Sequence, residues 1–418
     1  KAGIKGFKLY TPREGHPDWT SMEERAELLV EEASETLEFD TDSPAWRIAE
    51  ARRVAGALAT TARSMLVNHY RLKRGGHNLI PPYFIWTMLN RCNFRCAYCD
   101  NHTGTGFYEL SEIRLLDDES SRRMLRVMRR NVSGIYFCGG EPTLREDLPE
   151  LAEYARSIGY FPIMINTNGS RFHRMFTDPR YSRILKNLDI VIVSLDALDL
   201  DRLASVWGVR RDLCEQVAVN ILALRRLQEK VRFKLMVNTV ITPETVAEAG
   251  SILDWANDMG IWYSPVPMNR GSGIAHELEA DPQYRKLCDR IVARKKEGYK
   301  ILGSERLIEG LLRGKRIRCF PSLVPHVDGD GCTYWPCKAA TGPEPLKLNV
   351  LEYHSFDHLY REAEKIRSVR DIHGKGPGQC GGDCRWMQNY VSDALVRGIE
   401  RPLRSGVLLE LAEFVGVI

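Results

Sequence analysis

Three cysteines stand close together in the segment Arg91–Asp100. They are Cys92, Cys96 and Cys99, and they come after the apolar run Pro82–Leu89, which predicts a buried strand. Three thiolates on one short loop can hold one face of a metal cluster. Zinc would need a fourth ligand nearby to complete a tetrahedron, whereas a [4Fe-4S] cube held by three thiolates leaves one iron open to a non-protein ligand. No fourth cysteine or paired histidine comes next at zinc-like spacing.

The C-x3-C-x2-C spacing, with an aromatic residue before the last cysteine, resembles the signature of the radical S-adenosylmethionine (radical SAM) enzymes. A second motif, Cys138-Gly-Gly-Glu-Pro142, stands at the end of the next predicted strand. In that family a GGEP segment at this place binds the amino group of the methionine part of SAM, which Glu141 is expected to accept here. The resemblance implies cluster ligands at Cys92, Cys96 and Cys99, and SAM contacts at Tyr98, Gly139, Gly140 and Glu141.

The resemblance also implies the reaction. The open iron would bind the amino and carboxylate groups of SAM, and reductive cleavage would give methionine and a 5′-deoxyadenosyl radical. Clusters of this class reach reduction potentials of about −700 mV. The radical would abstract a hydrogen from a substrate or add to it, and the sequence does not indicate the later steps of the reaction. Cys138 is a candidate hydrogen donor, although a cysteine at the end of a core strand more often serves packing.

From Tyr83 onward, short apolar runs alternate with helical patterns, which is typical of βαβ units and a parallel sheet. We predict an α/β fold, a partial (β/α)6 TIM-like barrel. Its six strands are expected near Tyr83–Leu89, Gly134–Cys138, Phe161–Asn166, Ile190–Leu195, Phe233–Val240 and Trp262–Val266.

Polar residues come after or at the end of several of these predicted strands. In such barrels the chemistry lies at the carboxyl ends of the strands. The resemblance implies that these positions contact the ribose and the methionine carboxylate of SAM, although each alone could be a turn former or a helix cap. The candidates are Asn166, Asn168, Ser194, Asp196 and Asn238.

Five more cysteines gather after the midpoint of the chain: Cys319, Cys332, Cys337, Cys380 and Cys384. This region resembles the auxiliary-cluster tail of the SPASM and Twitch branches of the family. The full SPASM pattern uses seven cysteines for two clusters, so five fit one auxiliary [4Fe-4S] cluster better. Cys319, Cys337, Cys380 and Cys384 occupy the matching places, and Cys332 is one more than the pattern needs. A zinc knuckle from the same cysteines is the alternative.

The chain therefore divides into three predicted units. Residues 1–80 are expected to form a helical extension whose function the sequence does not indicate. Residues 81–282 would form the barrel, and residues 283–418 a small cysteine-rich domain. The tail from Arg385, with an apolar pattern over residues 407–415, predicts a closing amphipathic helix.

The composition of the 418 residues, 44% hydrophobic and 27% charged, is that of a soluble globular protein. A formal net charge of +4 with scattered basic residues argues against a nucleic-acid partner. No apolar stretch reaches the roughly 20 residues that span a bilayer, and the first residues lack the apolar core of a signal peptide. We expect a cytoplasmic protein. Its eleven cysteines then indicate metal or catalytic roles rather than disulfides.

Three functions remain open from the sequence. The first is a radical SAM enzyme that acts on a small molecule in a biosynthetic pathway, with a reductant such as ferredoxin or flavodoxin. The second modifies a peptide, as many SPASM and Twitch relatives do. The third is a non-catalytic protein that binds a cluster or zinc, and the two intact motifs argue against it.

Overall fold

The computed structural model describes residues 19–36, 43–99, 114–228, 230–271, 273–338, 345–372, 379–380 and 384–401. Within these ranges the strands, numbered β1 to β11, are Tyr83–Thr87, Gly134–Cys138, Ile163–Thr167, Ile190–Ser194, Lys234–Ile241, Trp262–Pro267, Asn269–Arg270, Gly273–Ile274, His326–Asp328, Cys332–Trp335 and Leu346–Asn349.

The α-helices of the same ranges, numbered α1 to α15, are Trp19–Thr36, Pro44–Lys73, Asp118–Arg129, Leu148–Ser157, Phe172–Thr177, Pro179–Asn187, Leu200–Trp207, Arg211–Leu227, Val246–Asp258, His276–Ala280, Pro282–Lys296, Glu305–Leu312, Phe356–Ile366, Val369–Ile372 and Met387–Glu400.

The six predicted strands are confirmed, and their ends differ from the prediction by at most two residues. Strands β1 to β6 lie side by side in chain order and pair in parallel. Parallel strands need helical crossovers, which the helices between them supply. On the other side of β1 the sheet continues with β9, also parallel, and then with the antiparallel strands β10 and β11. These three strands lie beyond the predicted boundary at residue 282, so one sheet runs across that boundary.

The sheet separates two apolar cores. Its outer face packs on the helices, while its concave face carries a smaller cluster that includes Tyr83, Ile85, Met164, Ile192 and Met236. We call the space in front of this concave face the lumen. Helix α15 closes the amino end of the lumen with Leu395, Val396 and Ile399, which belong to the same cluster. The tail from Arg385 contains this helix at Met387–Glu400, while the apolar stretch 407–415, on which the predicted closing helix rested, lies outside the described residues.

Helices α1 and α2, the described part of the predicted helical extension, pack against the barrel. The ring of Trp19 in α1 lies 5.1 Å from that of Trp255 in α9, measured between centroids. Helix α2 is joined to the sheet by Arg53, which forms ion pairs with Glu50 and Asp189. Across the described ranges, the helices fall short of the length and apolarity that a bilayer crossing requires.

Candidate functional site

The first cysteine group lies on the loop after β1, at the carboxyl end of the sheet. Cys92, Cys96 and Cys99 are all half-buried free thiols. Burial, together with the nearby charges of Glu141 and Cys99, raises the pKa of Cys92 to about 11. Burial also raises the pKa of Cys96, together with the charges of Asp196 and the other two thiols. The three sulfurs are therefore close enough to influence one another, and binding a metal here must release protons.

The buried carboxylate of Asp196 anchors the cysteine loop through hydrogen bonds. Tyr98 Oη donates to Asp196 Oδ2 at 2.5 Å, and Trp207 Nε1 donates to the same oxygen at 2.7 Å. The backbone N–H of Val240 donates to Oδ1 at 2.7 Å. Asp196 is fully buried, and burial raises its pKa to about 6 although these three hydrogen bonds lower it. Tyr98 and Asp196, both predicted to contact SAM, thus bind each other and anchor the cysteine loop.

Replacing Asp196 by asparagine is expected to destabilise the protein by about 1–3 kcal/mol, because an amide leaves at least one of three buried donors without an acceptor. Urea denaturation of the iron-free protein measures this change. Asp258→Asn, on the exposed end of α9, is the matched control and should change stability by less than about 0.5 kcal/mol. Equal stability of the Asp196 and Asp258 variants would contradict the anchoring role.

The two glycines of the GGEP segment join it to the cysteine loop. The backbone N–H of Gly140 donates to Leu89 O at 2.7 Å, and that of Glu141 donates to Arg91 O at 2.9 Å. A Cβ on Gly139 would lie 2.4 Å from Leu89 O, and one on Gly140 would lie 2.2 Å from Arg91 O. The motif predicts that these glycines let a ligand approach. In the structure the backbone of Leu89–Arg91 approaches both glycines closely, which fixes the position of the cysteine loop, and a ligand approach at these glycines stays a prediction.

Gly140→Ala should therefore displace the loop and remove the iron that its cysteines hold, about half of the total if two four-iron clusters are present. Iron analysis after anaerobic reconstitution measures the loss. Gly56→Ala is the control, since a Cβ at this position of α2 meets nothing within 4 Å. Full iron content in the Gly140 variant would show that the loop tolerates the displacement.

Glu141 is buried and already accepts hydrogen bonds from the chain. Its Oε1 accepts from Thr143 N at 3.0 Å, Thr143 Oγ1 at 2.6 Å and Thr167 Oγ1 at 2.7 Å. Its Oε2 accepts from the backbone N–H of Asn168 at 2.7 Å. Burial raises the pKa of Glu141, and these four hydrogen bonds oppose that rise. Glu141 thus ties the end of β3 to the GGEP segment, and its contact with the amino group of SAM stays a prediction that would use Oε2.

Asn168 lies between the two motifs. Its Nδ2 is 3.9 Å from the sulfur of Cys92 and donates to Asn93 Oδ1 at 2.9 Å. The Asn168 side chain is therefore beside the first cysteine group, in the region where the family resemblance implies a cofactor contact.

The other predicted strand-end residues line the lumen. Along each strand they come two positions after apolar lumen residues, and side chains two positions apart share one face. With their neighbours they form an open, staggered arc at the carboxyl end of the lumen, one residue from each of the seven parallel strands, and we call this arc the lumen ring. This lumen ring consists of Thr87, Cys138, Asn166, Ser194, Asn238, Ser264 and Asp328.

Sequence reasoning found four of these seven residues and missed Thr87, Ser264 and Asp328. The alternation that placed Ser194 and Asn238 could also have identified Ser264, which pairs with Asn238 in register. Asp328 begins the turn-rich sequence Asp328-Gly-Asp-Gly331, and the strand that it ends has only three residues. The sequence therefore predicts a turn at Asp328 and does not reveal the strand. Within the described residues, the buried Asn166 Oδ1 has no hydrogen-bond partner, so this polar atom facing the lumen could accept from a ligand.

The second cysteine group assembles from three separate stretches of the chain. Cys319 is half-buried, and its pKa is raised by burial and by the charges of Cys337, Cys384 and Cys380. Asn389 Nδ2 donates to the sulfur of Cys384 at 3.5 Å. The four predicted ligands therefore lie around one place.

Cys332 stands apart from this group. The charges that act on its thiol are those of Asp330, Lys347 and Asp328. Within the described ranges, no three His, Cys, Asp or Glu side chains are arranged to hold a single metal ion. A cube carries its sulfur ligands on separate irons, so it needs cysteines around a cluster rather than around one ion. Two half-buried groups of three and four thiols fit that requirement.

The chain is similar in sequence to a known protein family and to several curated proteins. Residues 86–256 match the model of the Radical SAM superfamily. The Fe-coproporphyrin III synthase of Methanosarcina barkeri is 28% identical over 221 residues, and the match covers 51% of this chain and 51% of that protein. The chain thus spans about half of that relative's length.

Two further similarities extend over more of the chain. The mycofactocin maturase MftC of Mycobacterium ulcerans is 26% identical over 340 residues, which cover 77% of this chain and 85% of that protein. The crystal structure of SuiB from Streptococcus suis bound to S-adenosylmethionine superposes with a TM-score of 0.54 at 19% identity, covering 76% of this chain and 75% of that one. The superposition shows a shared fold, that of a partial TIM barrel.

Proposed function

We propose that this chain, whose residues 86–256 match the model of the Radical SAM superfamily, is an enzyme that cleaves S-adenosylmethionine reductively to generate a 5′-deoxyadenosyl radical. The observation that carries this proposal is the loop of Cys92, Cys96 and Cys99, which Asp196 and the GGEP backbone hold at the carboxyl end of the sheet. A [4Fe-4S] cluster, when bound, supplies the low-potential electron and an open iron for the amino-acid end of SAM.

The chain's own residues bind and orient the cofactor. The three cysteines hold the cluster, and the Tyr98–Asp196 hydrogen bond keeps their loop in place. Polar residues of the lumen ring are suited to the ribose and the methionine carboxylate, because they offer amide and hydroxyl groups beside the cysteine loop. We assign these contacts to Asn166, Ser194 and Asn238.

A second [4Fe-4S] cluster completes the proposal. Its ligands would be Cys319, Cys337, Cys380 and Cys384, whose mutual charge effects support a common site. A small electron carrier such as ferredoxin or flavodoxin would supply electrons, and we place the protein in the cytoplasm, where such carriers are available.

We assign a small molecule as the substrate class. The lumen is lined by apolar residues and by the neutral polar groups of the lumen ring, with one ion pair, and a mainly apolar site with a few polar groups suits a small-molecule ligand. Relatives that match most of the chain include the AdoMet-dependent heme synthase of Methanosarcina barkeri, at 24% identity over 88% of its length. The match to a maturase over a similar share of the chain keeps a peptide substrate as the second candidate.

One anaerobic experiment tests both the cleavage of SAM and the substrate class. The reconstituted protein is incubated with SAM and dithionite, and 5′-deoxyadenosine is measured by mass spectrometry. We expect formation that requires both the protein and dithionite, and its absence with a fully loaded protein would refute the activity. Adding protease-treated, low-mass cell extract should stimulate the formation. Stimulation that protease abolishes would indicate a peptide instead.

A further inference from the structure

A buried ion pair lies between Asp328 of the lumen ring and Lys338, the residue that follows Cys337 of the second cysteine group in the chain. Lys338 Nζ donates to Asp328 Oδ1 at 2.6 Å, and the two side chains are only 6% and 2% exposed. Tyr334 Oη donates to Asp328 Oδ2 at 2.7 Å. The ammonium also lies 5.1 Å from the centroid of the Tyr334 ring, a favourable cation–π distance.

The position of the pair links both parts of the site. Asp328 ends β9 and pairs in register with Thr87, which pairs with Cys138. Burial raises the pKa of Cys138 to about 12, while the charge of Lys338 acts to lower it and the charge of Asp328 acts to raise it. The charges of the pair therefore reach the GGEP side of the lumen. In the chain, Lys338 comes directly after Cys337.

Such a pair needs an explanation beyond stability. Removing two charges from water costs several kcal/mol, and a well-packed apolar pair is often at least as stable as a buried ion pair. The charge of Lys338 also affects its surroundings, because it adds to burial in lowering the pKa of His326 to about 3. A fixed charge this well insulated from solvent acts strongly on any redox group beside it.

We propose that Lys338, positioned by Asp328 and Tyr334, sets the reduction potential of the second [4Fe-4S] cluster. A cation next to a ligating thiolate stabilises the reduced, more negative form of a cluster and so raises its potential, whereas a carboxylate lowers it. The two charges oppose each other, and their separate removal should shift the potential in opposite directions. This inference rests on the second cluster of the proposed function.

The full-length chain with Cys92, Cys96 and Cys99 replaced by alanine isolates that cluster. After anaerobic reconstitution, its potential is measured by titration with dithionite, using the electron paramagnetic resonance signal of the reduced form. In this background Lys338→Met should lower the potential and Asp328→Asn should raise it. The double variant should lie between the two, close to the parent.

Two further variants separate charge from structure. Tyr334→Phe removes a hydrogen bond without a change of charge and should shift the potential less than either charge variant. Lys347→Met removes a cation of the same hairpin whose pair with Asp330 is 41% and 22% exposed, so water should screen its effect. If Lys338→Met fails to bind iron, the Asp328→Asn protein must still lie above the double variant.

The outcomes distinguish the two proposals. Shifts of the same sign for Lys338→Met and Asp328→Asn, or shifts no larger than that of Lys347→Met, would overturn the role of Lys338 and leave the second cluster intact. A parent protein that binds zinc or no metal would overturn the second cluster and this inference together, while 5′-deoxyadenosine formation by the wild type would still support the first cluster.

Discussion

Replacing Cys96 by alanine is expected to reduce 5′-deoxyadenosine formation to background while the chain remains folded. The three thiols of this loop are the ligands of the proposed first cluster, and a cluster held by two of them would lose the geometry that leaves one iron open for SAM. The measurement is mass spectrometry after anaerobic incubation with SAM and dithionite, with circular dichroism to verify the fold.

Cys332→Ala is the matched control for this prediction. Cys332 is also half-buried and also carries a raised pKa, to about 12, but the charges that act on it come from Asp330, Lys347 and Asp328 rather than from a cysteine group. It should retain activity and iron. Full activity of the Cys96 variant would sink the assignment of the first cluster.

The triple alanine variant of Cys92, Cys96 and Cys99 is expected to retain about half of the iron of the wild type. Two four-iron cubes give about eight irons per chain, and the second cysteine group lies on other segments of the chain. Iron analysis and the brown colour of the reconstituted protein measure this. Cys319→Ala should show the complementary loss, because Cys319 is one of the four proposed ligands of the second cluster and the charges of the other three act on its thiol.

The complementary variants make this prediction specific. If both variants lost all iron, the two groups would not be independent sites. If the triple variant carried zinc, the downstream cysteines would form a zinc knuckle, the alternative that the sequence left open.

The parallel sheet and the cysteine motifs could be predicted because their signals are local. Each strand from β1 to β6 is a short apolar run, and the three cysteines of the first group lie within eight residues of each other. Strand β9 could not be found in this way. It has three residues, and its partner β1 lies more than two hundred residues earlier in the chain, so only the tertiary structure brings Asp328 beside Thr87.

The roles of predicted site residues were harder to predict than their positions. Asp196 and Glu141 were both expected to face SAM, yet each accepts several hydrogen bonds from buried donors of the chain. A sequence shows a carboxylate after a strand but not the donors that surround it, since those come from other segments. The same holds for Gly139 and Gly140, whose close neighbour is the backbone of the cysteine loop.

The pairing of β9 with β1 has a consequence for the order of folding. During synthesis, the backbone groups of β1 that pair with β9 remain unpaired until nearly 240 further residues have been made. An exposed parallel edge of this kind is prone to pair with another chain. Any shortened version of the protein that ends near residue 282 would keep that edge open permanently, so a barrel cut free at this boundary should be a poor candidate for soluble expression.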